Sequence, residues 1–166
     1  MYSARSSFGL NRNEDLAEYK SATELIHVLI QTVCNGGNLL LDIGPTGDGR
    51  IPVIMEERLI RMGEWLAVNG EAIYGTRRWR ATSEGDLIRY TQKGDTVYAI
   101  CLEWPGKSLV LETPKFDRNA TVSLLGYPGK LSWTNENGKM KIDVPSLSVE
   151  EVPCLHAYTF RLDGVK

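Results

Sequence analysis

The chain has 166 residues, 42% of them hydrophobic and 24% charged, with a formal net charge of −2. That is enough to bury the core of one or two modest domains, and the slight acidity gives no electrostatic reason to expect nucleic acid or an anionic membrane as a partner. No apolar run approaches the roughly 20 residues of a membrane span, and Met1-Tyr2-Ser3-Ala4-Arg5 carries no apolar signal core.

Ser21 followed by Glu24 is a capping-box pattern, and Leu25, Ile26, Leu29, Ile30 and Val33 recur at helical spacing. The pattern predicts an amphipathic helix from about Ala22 to Cys34, stopped by Asn35-Gly36-Gly37. Asn38 to Ile43 is a short, nearly continuous apolar run bounded by glycines, which reads as a strand buried on both faces. Gly44-Pro45-Thr46-Gly47-Asp48-Gly49 follows as a tight loop. Pro52 then suits the first turn of a second helix, running to about Asn69 with Met55, Leu59, Met62 and Leu66 on one stripe.

After Tyr74 the period changes from helical to alternating. Leu87 to Gln92, Thr96 to Glu103, Ser108 to Glu112, Thr121 to Leu125, Lys130 to Thr134, Lys139 to Val144 and Ala157 to Leu162 are predicted strands between turn residues. Asn135-Glu136-Asn137-Gly138 signals a hairpin. Strands this short and evenly spaced predict an antiparallel sandwich. The boundary falls near Gly75 to Thr82, where Thr76-Arg77-Arg78-Trp79-Arg80 is basic. Salt-bridged packing between the two parts is expected there rather than a nucleic-acid contact. The predicted class is thus α+β, with a helix-strand-helix segment over residues 1–74 and a β-sandwich over residues 75–166.

Cys34, Cys101 and Cys154 are odd in number and far apart, so neither a disulfide framework nor a metal-ligand spacing is implied, and small apolar fillers are expected. Asn119-Ala120-Thr121 satisfies the glycosylation sequon, which has meaning in a eukaryotic secretory setting. Neither His27 nor His156 stands at a recognised triad spacing, and the glycine-rich loop lacks the lysine of a P-loop. No metal, cofactor or nucleotide site follows.

Asn38 to Pro45, Asp48-Gly49 with Pro52, Glu57-Arg58-Leu59, Gly63 with Trp65-Leu66, and Asn69-Gly70-Glu71-Ala72-Ile73-Tyr74, preceded by Ser7-Phe8-Gly9 and Asn11-Arg12-Asn13-Glu14, resemble the family 29 α-L-fucosidases. The resemblance is specific in the first half, looser in the second, and covers nearly the whole chain. It implies that the helix-strand-helix segment is the last unit of a (β/α)8 barrel and that the sandwich is the family's C-terminal domain. A complete barrel takes about 250 residues, so a whole one is not expected here and the chain reads as a truncated form.

The family resemblance implies a retaining glycosidase acting on a fucosylated glycan or small fucoside, with two carboxyl groups about 5 to 5.5 Å apart. In the family both precede the matching segment, so the nucleophile and acid/base are expected upstream of Met1 and the monomer is expected to be inactive. Phe8 is implied to line the sugar pocket, while Leu10 replaces the family's usual tyrosine. Asp42 ends the predicted strand, where barrel enzymes place functional groups; the family more often has asparagine there, and the structural alternative is a carboxylate capping the glycine loop. Asp48 reads as a turn residue and Glu71 as a structural acid after the last helix.

An isolated barrel strand and uncovered apolar helix stripes favour a homo-oligomer. If it assembles a new pocket, Asp42, Glu14 and Asp15 are its candidate acids. From a different class comes a carbohydrate-binding or interaction module, in which Trp104, Trp133, Tyr127 or Tyr158 stacks on a sugar if exposed, core packing being the ordinary alternative. Family members are often secreted, periplasmic or lysosomal, and these residues leave the compartment open.

Overall fold

The computed structural model describes the backbone of residues 2–3 and all of residues 10–166. Helix α1 (Ala22–Cys34) begins where the capping box predicts: Ser21 Oγ accepts the Glu24 N–H at 3.2 Å, and Ser21 N–H donates to Glu24 Oε2 at 2.7 Å. Its stripe of Leu25, Ile26 and Ile30 is fully buried. It ends at Gly36-Gly37, whose N–H groups donate to the carbonyls of Val33 and Thr32. Helix α2 (Val53–Asn69) buries Met55, Met62 and Trp65.

Between the helices the chain is less strand-like than its apolar run predicts. Strand β1 (Tyr2–Ser3) pairs in parallel with β2 (Leu41–Asp42), and among the described residues this pairing goes no further. The expectation of a strand buried on both faces over Asn38 to Ile43 is corrected here: Leu40 is 62% exposed, and Leu41, Asp42 and Ile43 are half-buried. An apolar run reports only that a strand could be covered on both faces; what covers it comes from elsewhere in a fold.

The remaining strands are β3 (Arg77–Glu84), β4 (Ile88–Lys93), β5 (Thr96–Cys101), β6 (Ser108–Leu111), β7 (Phe116–Leu124), β8 (Trp133–Glu136), β9 (Lys139–Asp143) and β10 (Tyr158–Val165). They form an antiparallel five-stranded sheet, ordered β3-β4-β5-β10-β7, and a three-stranded sheet, β6-β9-β8. The Asn-Gly signal is a two-residue hairpin between β8 and β9, with Asn137 and Gly138 at φ 55° and 84°, the left-handed pair that a type I′ turn requires.

Two cores share the larger sheet. Between the sheets lie Val97, Ala99, Cys101, Leu109, Leu111, Met140, Ile142, Phe160 and Leu162. On the opposite face Tyr98 and Ile100 pack with Leu25, Ile26, Ile30, Met62 and Trp65 of the helices. Successive β5 residues thus enter opposite cores, which is why the strand is buried continuously from Val97 to Cys101. Trp65 Nε1–H donates to the Ala157 carbonyl at 2.9 Å and fixes α2 to the segment entering β10.

The basic stretch at the boundary is edge strand β3. Its alternation is masked by Arg77, Arg78 and Arg80, charges of the kind that discourage edge-to-edge pairing. Trp79 enters the sandwich core against Tyr90, with ring centroids 5.0 Å apart. The arginines do not make the expected salt-bridged packing among the described residues. Arg80 lies over the Trp79 ring and donates to the carbonyls of Thr113 and Lys166 at 2.6 and 2.9 Å, and Arg77 donates to Thr76 O.

Candidate functional site

Asp42, a candidate acid, is the last residue of β2, paired in register with Ser3. The loop behind it is closed by its own side chains. Thr46 Oγ1–H donates to Asp48, Arg50 Nε–H donates to Asp48 Oδ2 at 2.6 Å, and Arg50 N–H donates to Thr46 Oγ1 at 3.0 Å. The Thr46 and Arg50 hydrogen bonds hold the Asp48 carboxyl below the usual carboxylate range. Asp48 therefore organises the loop, as its place between glycines predicts.

Glu14 and Asp15 stand on a different segment. Glu14 N–H donates to Asn11 O at 3.4 Å, and Asp15 opens the short 3-10 turn Leu16–Glu18, its N–H donating to Glu18 Oε2 at 2.8 Å. Glu14 is half-buried and Asp15 exposed. Phe8 lies outside the described residues. Glu71 faces Arg161 at 3.6 Å, in keeping with a structural acid. Among the described residues no cluster of three or more His, Cys, Asp or Glu side chains is placed to hold a metal ion, and no helix is long and apolar enough to cross a membrane.

Five clefts on the described surface are lined by residues other than Asp42, Glu14 and Asp15. One cleft, between α2 and the segment before β10, holds Arg61, Glu64, Cys154 and His156. His156 sits at φ 77°, a strained backbone for a non-glycine residue. Its Nδ1 bonds the Thr23 hydroxyl at 2.8 Å, and its carbonyl accepts His27 Nε2–H at 2.8 Å. Burial first, then the charges of Arg61 and His27, lower its pKa. No sequence spacing could announce this group, because its contacts span more than a hundred residues of chain.

A second cleft of about 450 Å³ lies in the sandwich between the loop after β5 and the loop after β9, and contains Trp104 and Tyr158. Those rings meet edge to face with centroids 4.9 Å apart. Trp133 packs edge to face on Phe116 and donates its indole N–H to Ala120 O at 2.9 Å, and all four rings, Trp104, Tyr127, Trp133 and Tyr158, pack half-buried against the sandwich core. Asn119 of the sequon is exposed on β7.

Two family models match the chain in succession, α-L-fucosidase over residues 1–71 and α-L-fucosidase C-terminal domain over residues 82–163. An α-L-fucosidase of Branchiostoma floridae is 43% identical over 165 residues, which is 97% of this chain and 37% of that protein. The human tissue α-L-fucosidase is 42% identical over 164 residues, covering 96% of this chain and 35% of that one. A Thermotoga maritima α-fucosidase crystallised with fucose superposes with a TM-score of 0.82 at 33% identity, over 96% of this chain and 38% of its own. The chain thus spans little more than a third of the length of these relatives.

Proposed function

Because the chain belongs to the α-L-fucosidase family, we infer that it is the C-terminal part of a retaining fucosidase, contributing the last barrel unit and the sandwich to an enzyme that hydrolyses α-L-fucosides. What carries this reading is the order of the two family matches on a fold that superposes with fucosidases at a TM-score of 0.82. In it Phe8 and Asp42 belong to the rim of the sugar pocket. The nucleophile and acid/base come from the part of the barrel that precedes this segment, so the 166 residues alone do not turn over a fucoside.

The test is release of 4-nitrophenol from its α-L-fucoside by the purified chain, assayed across size-exclusion fractions. No fraction is expected to be active; turnover by the monomer would overturn the reading. Activity confined to an oligomer would instead make Asp42, Glu14 and Asp15 the acids to substitute. Self-association is the companion proposal, supported by the exposure of Leu40 at 62%, Val53 at 80% and Ile60 at 53% on the barrel segment.

A further inference from the structure

Trp104, Tyr158 and Leu147 pack half-buried against the sandwich core, and the cleft they line carries polar groups that this packing does not use. The indoles of Trp65 and Trp133 both spend their N–H on a backbone carbonyl at 2.9 Å. Those of Trp104 and the hydroxyl of Tyr158 bond no described residue and are not buried. Beside them Lys107 and Ser146 are exposed, with side chains that take no partner among the described residues, while Leu147 and Val152 complete the apolar lining. Both rings are only half-buried and line the cleft, so beyond their edge-to-face contact and their core packing some aromatic surface stays open.

An open aromatic surface beside free hydroxyl, indole and ammonium donors suits a ligand with an apolar C–H face and a ring of oxygen acceptors, which is a pyranose. The volume of about 450 Å³ falls within the range of small-ligand sites. A proline-rich peptide would need a row of aromatic slots along an extended groove, and here there is one pair. We propose that this cleft is a glycan-binding subsite, taking a pyranose with its C–H face on the Trp104–Tyr158 pair and its hydroxyls on Lys107 and Ser146. It holds glycan by the sandwich whatever the barrel does.

The test is a titration of the ¹⁵N-labelled 166-residue chain with 2′-fucosyllactose, following the indole N–H resonances. The Trp104 signal is expected to shift with a Kd of about 1 mM, with those of Trp65 and Trp133 unmoved. Ser146→Arg, a substitution at an exposed position that fills the cleft, is expected to weaken binding by about tenfold or more with no change in melting temperature. Lactose and methyl α-L-fucoside titrated separately identify which ring stacks, and saturable binding of either supports the site. No Trp104 shift at about 50 mM sugar, an undiminished shift in Ser146→Arg, or a shift with a proline-rich peptide in place of sugar would overturn it. The hydrolysis assay reads a different event, so an inactive chain that gives the shift keeps the subsite, and an active chain without it loses only the subsite.

Discussion

Glu84 joins three segments through one carboxylate. Oε2 accepts the Tyr90 hydroxyl at 2.9 Å and Thr113 N–H at 2.8 Å, and Oε1 accepts Glu112 N–H at 2.8 Å. Burial alone would raise its pKa, but the hydrogen bonds from Thr113, Glu112 and Tyr90 outweigh it and hold the group below the ordinary 4.5. A depressed carboxylate contributes stability above its unfolded pKa and loses it as the pH falls through the folded one. Glu84→Gln is therefore expected to cost about 2 kcal/mol in urea unfolding at neutral pH, with the gap to the parent narrowing in acid. His156 follows the same sign for a different reason. Burial and the nearby Arg61 favour its neutral form, so its contribution is complete above the ordinary 6.5 and fades as the pH falls through the lower folded value. His156→Asn, a residue that tolerates the left-handed backbone, should flatten the change in melting temperature between about pH 7 and 5; an unchanged slope would place the titration elsewhere.

At the scale of elements, legibility followed the locality of the signal. Helix α1 begins at its capping box and ends at its glycines, because both signals act within a turn of the chain. Strand β3 was hidden because an edge strand keeps few apolar positions, and only Trp79 on it is fully buried. The long β9–β10 connection packs against α2 and the turn after β7 at a position that only glycine allows. Gly126 has φ 77°, and a Cβ there would lie 2.7 Å from both Pro153 Cβ and Val68 Cγ1. Gly126→Ala is expected to cost more than about 1 kcal/mol by both strain and overlap, measured as a drop in melting temperature.

For the whole molecule, the three layers explain why the first half of the chain holds its shape. The helices lie on the large sheet and share Tyr98 and Ile100 with it, while their outward residues Val53 and Ile60 stay wet. Covering such side chains recovers about 25 cal/mol per Å², so multi-angle light scattering at micromolar protein is expected to give more than a monomer. Val53→Asp with Ile60→Glu should shift that distribution toward monomer at little cost in stability, since both positions are exposed and an acid suits the start of a helix. A parent that is monodisperse as a monomer would remove the self-association proposal.

The sequence by itself determined the α+β class, both helices, most sandwich strands and the fucosidase resemblance. Each of these is written in short-range periodicity, caps, turns or a contiguous motif. Only the tertiary structure decided that β5 serves two cores, that the basic boundary is a strand, and that Leu40 in the barrel-type run is exposed. Likewise the contacts of His156, and the meeting of Trp104 and Lys107 with Ser146 and Tyr158, join residues from distant parts of the chain. Such groups depend on how sheets and helices pack, and packing is a long-range property that no local pattern encodes.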